Sequence, residues 1–133
     1  MPDTLDGRFA VLATITALVL VRLEADSERG DSVSVALTER FIAVMESEHR
    51  ELGLGDPTLG KTVRRLVGSL ARRTELWRSA SSESTQWAEA TAKSLYKAGV
   101  SPDALAHSSS ALERLWTSLK RTSLDDIAQG MLH

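Results

Sequence analysis

The longest apolar run in the chain extends from Phe9 to Val21 and is interrupted only by two threonines. A helix without a polar stripe is usually buried on most of its sides, so this run predicts the central helix of a bundle. With Arg8 and Arg22 at its ends, the run is shorter than the roughly 20 residues that an apolar helix needs to cross a bilayer. Shallow contact with a membrane surface stays open as an alternative.

A second helix is predicted from about Ser32 to Leu52, because apolar residues follow helical spacing there. They are Leu37, Phe41, Val44, Met45 and Leu52. The polar stretch from Ala25 to Ser32, which contains Gly30, is predicted to connect this helix to the first one, with Asp31 or Ser32 as the N-cap. Glu48 falls on the apolar face, and we expect that end of the face to reach solvent, since burying an unpaired carboxylate is costly.

A third helix is predicted from Pro57 to about Ala80 and has the most regular pattern. Its apolar stripe, flanked by Val67, consists of Leu59, Val63, Leu66, Leu70 and Trp77. At the helical angle of about 100° per residue, three basic residues lie on the opposite side with Arg64 on their flank. They are Lys61, Arg65 and Arg72. The pattern leaves two interpretations open: an ordinary charged surface and a basic face that binds a partner.

The C-terminal part of the chain predicts three further helices. The fourth runs from about Glu83 to Ala98, and the fifth begins at Ser101-Pro102. Ser123 resembles the start of a capping box for a short last helix. Because no stretch shows strand-like alternation, the sequence predicts an all-α fold, a single-domain bundle of five or six helices over residues 1–133.

The stretch between the second and third helices predicts a tight turn. Gly53 suits the left-handed position just after a helix, and Leu54 is placed to fold back onto the last helical turn. Asp56 is predicted to be the next N-cap, with Pro57 at the first helical position. We expect Gly55 as well as Gly53 to need a positive φ, so these two glycines and Pro57 are the predicted structural residues of the turn.

Residues 55–62 satisfy a phosphate-binding pattern, G-x-x-x-x-G-K-[ST], letter for letter. That pattern forms a nucleotide site only between a buried strand and a helix, where successive backbone amides point at the phosphates. Here the preceding segment is predicted to be helical, and Pro57 removes one amide. We therefore expect two helix caps in succession and no nucleotide site.

Candidate chemistry is sparse. The chain has no cysteine, and its three histidines are far apart in sequence, so neither a disulfide nor a metal site is predicted. The serines lie in cap and loop composition, with no nucleophile elbow of the G-x-S-x-G kind. We therefore expect no catalytic residue, no metal and no cofactor, and hence no enzyme.

Charge is unevenly distributed along the chain. Residues 1–60 hold five basic and eleven acidic residues, whereas residues 61–133 hold eleven basic and seven acidic residues. This asymmetry fits either internal pairing of the two halves or a basic face offered to an acidic partner. Because the net charge of the whole chain is −2, direct DNA binding is not expected.

Two stretches carry a family signature. The first is Pro2-Asp3-Thr4-Leu5-Asp6-Gly7-Arg8-Phe9, which leads into the apolar run and on to Arg22-Leu23. The second comprises Met45-Glu46, Arg50-Glu51-Leu52-Gly53-Leu54-Gly55-Asp56, Lys61 and Val63. In this order they resemble the ubiquinol-cytochrome c chaperone family over about residues 2–98. That family carries a further helical segment before the first stretch, so a short member and a truncated chain both stay open.

Several positions depart from the family pattern. Leu70-Ala71 stands where the family has Tyr-Gly, and Ala10 replaces an acidic residue. Trp77 replaces a tyrosine, and Ser94 stands where an asparagine is usual.

The resemblance implies a non-catalytic assembly chaperone for the cytochrome bc complex, respiratory complex III, that binds newly made cytochrome b. The alternative is a helical adaptor that binds the ribosome or another protein partner. The family positions, together with Arg65 of the basic face, give the residues expected to bind the partner: Arg50, Glu51, Asp56, Lys61, Arg65 and Arg72. The expected location is the cytoplasm, at the inner face of the membrane, where peripheral membrane contact stays open.

Overall fold

The fold is a bundle of α-helices, as the sequence predicts. The computed structural model describes residues 5–51, 53, 55–96 and 99–131, and for residues 5, 6, 27, 56, 84 and 131 it describes the backbone alone. The helices are α1 (Leu5–Leu23), α2 (Ser27–Glu51), α3 (Asp56–Ser82), α4 (Trp87–Leu95), α5 (Pro102–Arg121) and α6 (Leu124–Met131), with a 3-10 turn at Ser84–Gln86. None of these described residues forms a strand, so the predicted all-α class is confirmed.

The apolar helix α1 is the centre of the bundle. It contacts α2, α3, α4 and α5, and its small residues Ala13 and Ala17 are completely buried, which lets neighbouring helices approach closely. The predicted central position is therefore confirmed. One side of α1 remains open, where Leu12 and Ile15 are more than one-third exposed. None of the described helices is long and apolar enough to cross a membrane.

Helix α2 begins earlier than the sequence predicts. It starts at Ser27 rather than near Ser32, so the predicted connection over residues 25–32 is mostly helical. Gly30 does not mark a loop: it is buried inside α2, where a Cβ would lie 2.1 Å from the carbonyl oxygen of Leu23. The glycine lets α1 and α2 cross at close range, a requirement of tertiary packing that local sequence does not reveal. Glu48 is exposed, as expected, and Leu52 lies outside the described residues.

Helix α3 follows its predicted pattern closely. The whole predicted apolar stripe is buried. Trp77 is completely buried and meets Trp87 of α4 edge to face, with ring centroids 4.8 Å apart. Aromatic pairs favour this geometry, and the pair joins α3 to α4 inside the main core.

The shorter helices show how their ends are formed. Ser101 Oγ accepts a hydrogen bond from Ala104 N at 3.2 Å, and Ser123 Oγ accepts one from Asp126 N at 3.1 Å, so both predicted N-caps are confirmed. The predicted end of α4 at Ala98 is wrong: the helix stops at Leu95, because Tyr96 adopts an extended conformation. Ala98 itself lies outside the described residues.

Candidate functional site

The turn between α2 and α3 contains the predicted left-handed glycine. Gly53 has a φ of 84°, and its amide donates to the carbonyl oxygen of Arg50 at 2.9 Å, which closes the end of α2. A residue with a Cβ is strained at that φ, so glycine is required here. The predicted contact of Leu54 with the last turn of α2 lies outside the described residues.

Three other expectations for this turn are wrong. Gly55 has a φ of −75° and a ψ of 160°, which any residue can adopt, so it does not need a positive φ. Gly55 rather than Asp56 is the N-cap of α3, and Pro57 is the second rather than the first helical residue. The cap therefore lacks a hydrogen bond from its side chain, since glycine has none to offer.

The segment that matches the phosphate-binding pattern forms a helix end rather than a cradle. Residues 56–62 are helical and follow the C-terminus of another helix, so the predicted helix–turn–helix context is confirmed. The amide of Leu59 donates to the carbonyl oxygen of Gly55 at 2.8 Å and is already used within the helix. A phosphate loop instead needs free amides that converge on one point.

Four basic residues of α3, Lys61, Arg64, Arg65 and Arg72, form the surface that we call the basic face from here on. All four side chains are exposed to solvent, and none forms an ion pair with any described residue. The other two basic residues of α3 have partners, because Arg73 binds within the bundle and Arg78 pairs with Glu24 of α1 and Glu75. The sequence alone does not show which basic residues of α3 are paired, because pairing depends on the side chains that other helices bring close to them.

Two glycines give the basic face a flat surface. A Cβ at Gly60 would lie 3.7 Å from Arg64 Nη1, and a Cβ at Gly68 would lie 3.5 Å from Arg72 Nη1. Each guanidinium group therefore folds back over the glycine four residues before it. The spacing Gly-x-x-x-Arg occurs twice, at residues 60–64 and 68–72. Because this repeat relates Arg64 to Arg72, it could have assigned Arg64 to the basic face and not to its flank.

The remaining predicted partner-binding residues lie at the turn. Arg50 and Glu51 are exposed in the last turn of α2, and Asp56 is the first residue of α3. Within the described part of the chain, no hydrogen bond or ion pair links Arg50 or Glu51 to Lys61. The turn and the basic face are therefore neighbouring surfaces rather than one closed site.

A half-buried arginine, Arg73, links α3 to α4 behind the basic face. Arg73 donates through Nε and Nη2 to the carbonyl oxygen of Ser94, at 3.1 and 2.9 Å, and its guanidinium lies 5.4 Å from the ring centroid of Phe9. Burial, and secondarily the neighbouring Arg72, lowers the pKa of Arg73, but an arginine stays charged throughout the physiological range. No pattern in the sequence points to a role for this arginine, because its partners are carbonyl and ring atoms of distant helices.

The described surface offers little else for chemistry. Glu46 and His49 lie three residues apart on α2, but His49 is buried with Nδ1 hydrogen-bonded to the carbonyl oxygen of Met45 at 2.7 Å. No group of three metal-ligating side chains occurs among the residues that the structure describes. An open polar depression along α5, lined by residues such as Glu113 and Arg114, includes none of the predicted site residues.

The fold defines the class of this protein, an all-α bundle with exposed basic residues along one side of α3. The chain belongs to the family described as Ubiquinol-cytochrome C chaperone, whose family model matches residues 1–133. Neither the comparison with curated proteins nor the comparison with solved structures found a match.

Proposed function

We propose that this protein is a non-catalytic assembly chaperone of the cytochrome bc complex that binds newly made cytochrome b. The family supports the chaperone role. The client is proposed to contact the basic face of α3 and the adjoining turn through acidic residues of its loops. At the turn, Arg50 would bind an acidic group of the client as well, whereas Glu51 and Asp56 would pair with basic groups of the client.

The lack of internal ion pairs on the basic face carries this proposal. Lys61 lies three and four residues before Arg64 and Arg65, and like charges at these spacings repel by a few tenths of a kcal/mol. Since no described acidic residue forms an ion pair with these side chains, acidic groups of a partner would relieve the repulsion among them. An ordinary charged surface more often alternates positive and negative residues.

A protein client fits this face better than RNA does. Binding of single-stranded RNA usually combines cations with exposed aromatic side chains on which bases stack. The tryptophans nearest in sequence to the face, Trp77 and Trp87, are both buried in the core. A ribosome-binding adaptor is therefore the second candidate, to be separated by experiment.

A pull-down with two charge-reversal variants tests the proposal. The tagged wild type and Arg65→Glu/Arg72→Glu would be incubated with solubilised membranes and with purified ribosomes. The control is Arg114→Glu/Lys120→Glu, which reverses two exposed charges on α5 and gives the same change in net charge. We expect recovery of cytochrome b to fall in the first variant and not in the control, with a loss that high salt reproduces in the wild type.

Other results would point elsewhere. Equal recovery of cytochrome b by both variants would remove the basic face from the proposal, and recovery of ribosomes instead of cytochrome b would favour the adaptor. No recovery of cytochrome b by any of the three proteins would overturn the proposed client.

A further inference from the structure

Helix α6 occupies a groove between α1 and α2. We call it the α6 groove, and its walls are aliphatic residues spaced by about one helical turn: Val19 and Leu23 of α1 with Val33 and Leu37 of α2. Leu124 and Ile127 of α6 form a buried cluster with Leu23, and the other three groove residues pack around that cluster. Two aliphatic anchors, three residues apart, therefore hold α6 in the groove.

The docking of α6 is separate from the main core. Helix α5, which precedes it, contributes Leu112 to the main core, whereas both anchors of α6 belong to the second cluster. The end of α5 is also fixed independently, because Arg22 of α1 donates to the carbonyl oxygens of Leu119, at 2.9 Å, and Thr122, at 2.8 Å. Helix α6 can therefore leave its groove without disturbing α5 or the main core.

Outside the groove, α6 has little to keep it folded. It has eight residues, and isolated helices shorter than about 12–15 residues are marginal in water. Asp125, Asp126 and Gly130 are weak helix formers within it. Asp125 also forms an ion pair with Arg29 of α2, but these side chains are 72% and 73% exposed, and exposed pairs contribute little. The docked state therefore depends mainly on the two aliphatic anchors.

We propose that α6 is a displaceable occupant of the α6 groove and closes it until an amphipathic helix of the client takes its place. The anchor pattern of α6 defines that helix: an aliphatic residue, an acidic residue, any residue and a second aliphatic residue. In the client-bound state the two aliphatic residues cover Leu23, and the acidic residue pairs with Arg29. That the competing helix belongs to the client rests on the proposed function, whereas closure of the groove by α6 does not.

This arrangement covers an apolar binding surface whenever no client is present. An exposed aliphatic groove would favour aggregation, and α6 prevents that exposure. Because α6 is tethered beside the groove, its effective concentration there is high, so a client helix displaces it only if it fits the groove well. The closed state therefore contributes selectivity as well as solubility.

Binding of a defined peptide tests whether α6 closes the groove. The probe is a fluorescent, helix-stabilised peptide with the sequence of residues 123–131, titrated with whole-chain variants. In Leu124→Gln/Ile127→Gln the tethered helix loses its anchors. We expect this variant to bind the peptide at least about tenfold more tightly than the wild type, whose groove is open for less than about a tenth of the time. The control is Val35→Gln, which changes an exposed aliphatic residue of α2 outside the groove and should bind the peptide as weakly as the wild type.

Two further substitutions, each added to Leu124→Gln/Ile127→Gln, show whether the peptide lies in the groove. Leu37→Gln should abolish the gain in affinity, because it removes an aliphatic wall. Arg29→Glu should weaken binding by about two- to fivefold, the range of an exposed ion pair, and a peptide that carries Asp125→Lys should restore it. Arg29 is exposed, so its variant keeps its fold even if Leu37→Gln does not.

Recovery of cytochrome b tests the source of the competing helix. From solubilised membranes, Leu124→Gln/Ile127→Gln should recover more cytochrome b than the wild type does. Equal or lower recovery, with the wild type still recovering cytochrome b, would overturn the client as the source. If the wild type recovers none, the proposed function fails, and the peptide titrations still decide whether α6 closes the groove.

Three outcomes would overturn the closure of the groove by α6. One is equal affinity of the peptide for the wild type and for Leu124→Gln/Ile127→Gln. Another is the absence of saturable binding to that variant. The third is a wild-type dimer in sedimentation experiments that the same two substitutions dissociate, because the α6 in each groove would then come from a second copy.

Discussion

Trp77 of α3 donates a hydrogen bond from its indole Nε1 to the side-chain oxygen of Ser94 in α4, over a distance of 3.0 Å. Both residues are buried, and the Ser94 hydroxyl also bonds to the buried hydroxyl of Thr14 in α1. These are two of the positions at which the sequence departs from the family pattern it resembles. Because they contact each other, the departures form a matched pair that still satisfies a buried donor and acceptor.

We expect Ser94→Ala to destabilise the fold by about 1–3 kcal/mol, because it leaves the Trp77 N–H and the Thr14 hydroxyl without their shared partner. Urea unfolding followed by tryptophan fluorescence measures this change. Ser110→Ala, at an exposed serine of α5, is the control and should change stability by less than about 0.5 kcal/mol. Equal midpoints for the two variants would show that the network does not contribute to stability.

The same substitution should destabilise the fold at one of two adjacent arginines of α3 and leave it almost unchanged at the other. Arg73→Gln removes both hydrogen bonds to the Ser94 carbonyl and the contact with Phe9, so we expect a loss of about 1–3 kcal/mol in the free energy of unfolding. Arg72→Gln should change stability by less than about 0.5 kcal/mol, because Arg72 is exposed and has no ion pair with a described residue. Thermal unfolding of both variants, each with the same charge change, makes the comparison. A larger loss for Arg72→Gln would contradict the assignment.

The two glycines of the turn should also differ. At its φ of 84°, Gly53→Ala is expected to cost about 1–2 kcal/mol, the penalty of the left-handed region for a residue with a Cβ. Gly55 has an ordinary φ and open space around it, so Gly55→Ala should change stability by less than about 1 kcal/mol, because the preference of an N-cap for glycine over alanine offsets the entropy that alanine removes from the unfolded chain. Chemical denaturation measures the free energy of unfolding of both variants. The sequence alone predicts that both substitutions destabilise the protein, whereas the structure predicts a clear loss only for Gly53→Ala.

Gly30→Ala should be among the most damaging single substitutions in the chain. A Cβ there would lie 2.1 Å from the carbonyl oxygen of Leu23, so α1 and α2 would have to separate, at a cost of about 2 kcal/mol or more. Gly130→Ala in α6 is the control: nothing lies near its Cβ position, and alanine favours a helix by up to about 1 kcal/mol. If the melting temperature of Gly30→Ala matched that of the wild type, the close contact between α1 and α2 at this position would be contradicted.

The sequence by itself determined that the chain is helical and which side of α3 is buried, although the start of α2 and the end of α4 differ from those predicted. The stripe from Leu59 to Trp77 is a pattern of period 3.6, and its burial requires a helix with that side inward, whereas the continuous apolar run of α1 indicates a helix buried on most of its sides. Caps such as Ser101 and Ser123 were equally readable, because the bond they form reaches only three residues along the chain. The same local logic identified Gly53, whose conformation depends on the end of its own helix.

Tertiary structure alone decided the roles that depend on distant partners. Gly30 was predicted to lie in a loop because local sequence cannot show the Leu23 carbonyl that passes over it. Among the six basic residues of residues 61–78, only the packed bundle separates Arg73 and Arg78, which have partners, from the basic face. The exposure of Leu12 and Ile15 on α1 likewise depends on which sides of α1 the other helices cover. Periodicity fixes which side of a helix is apolar, but the other helices determine how much of that side they cover.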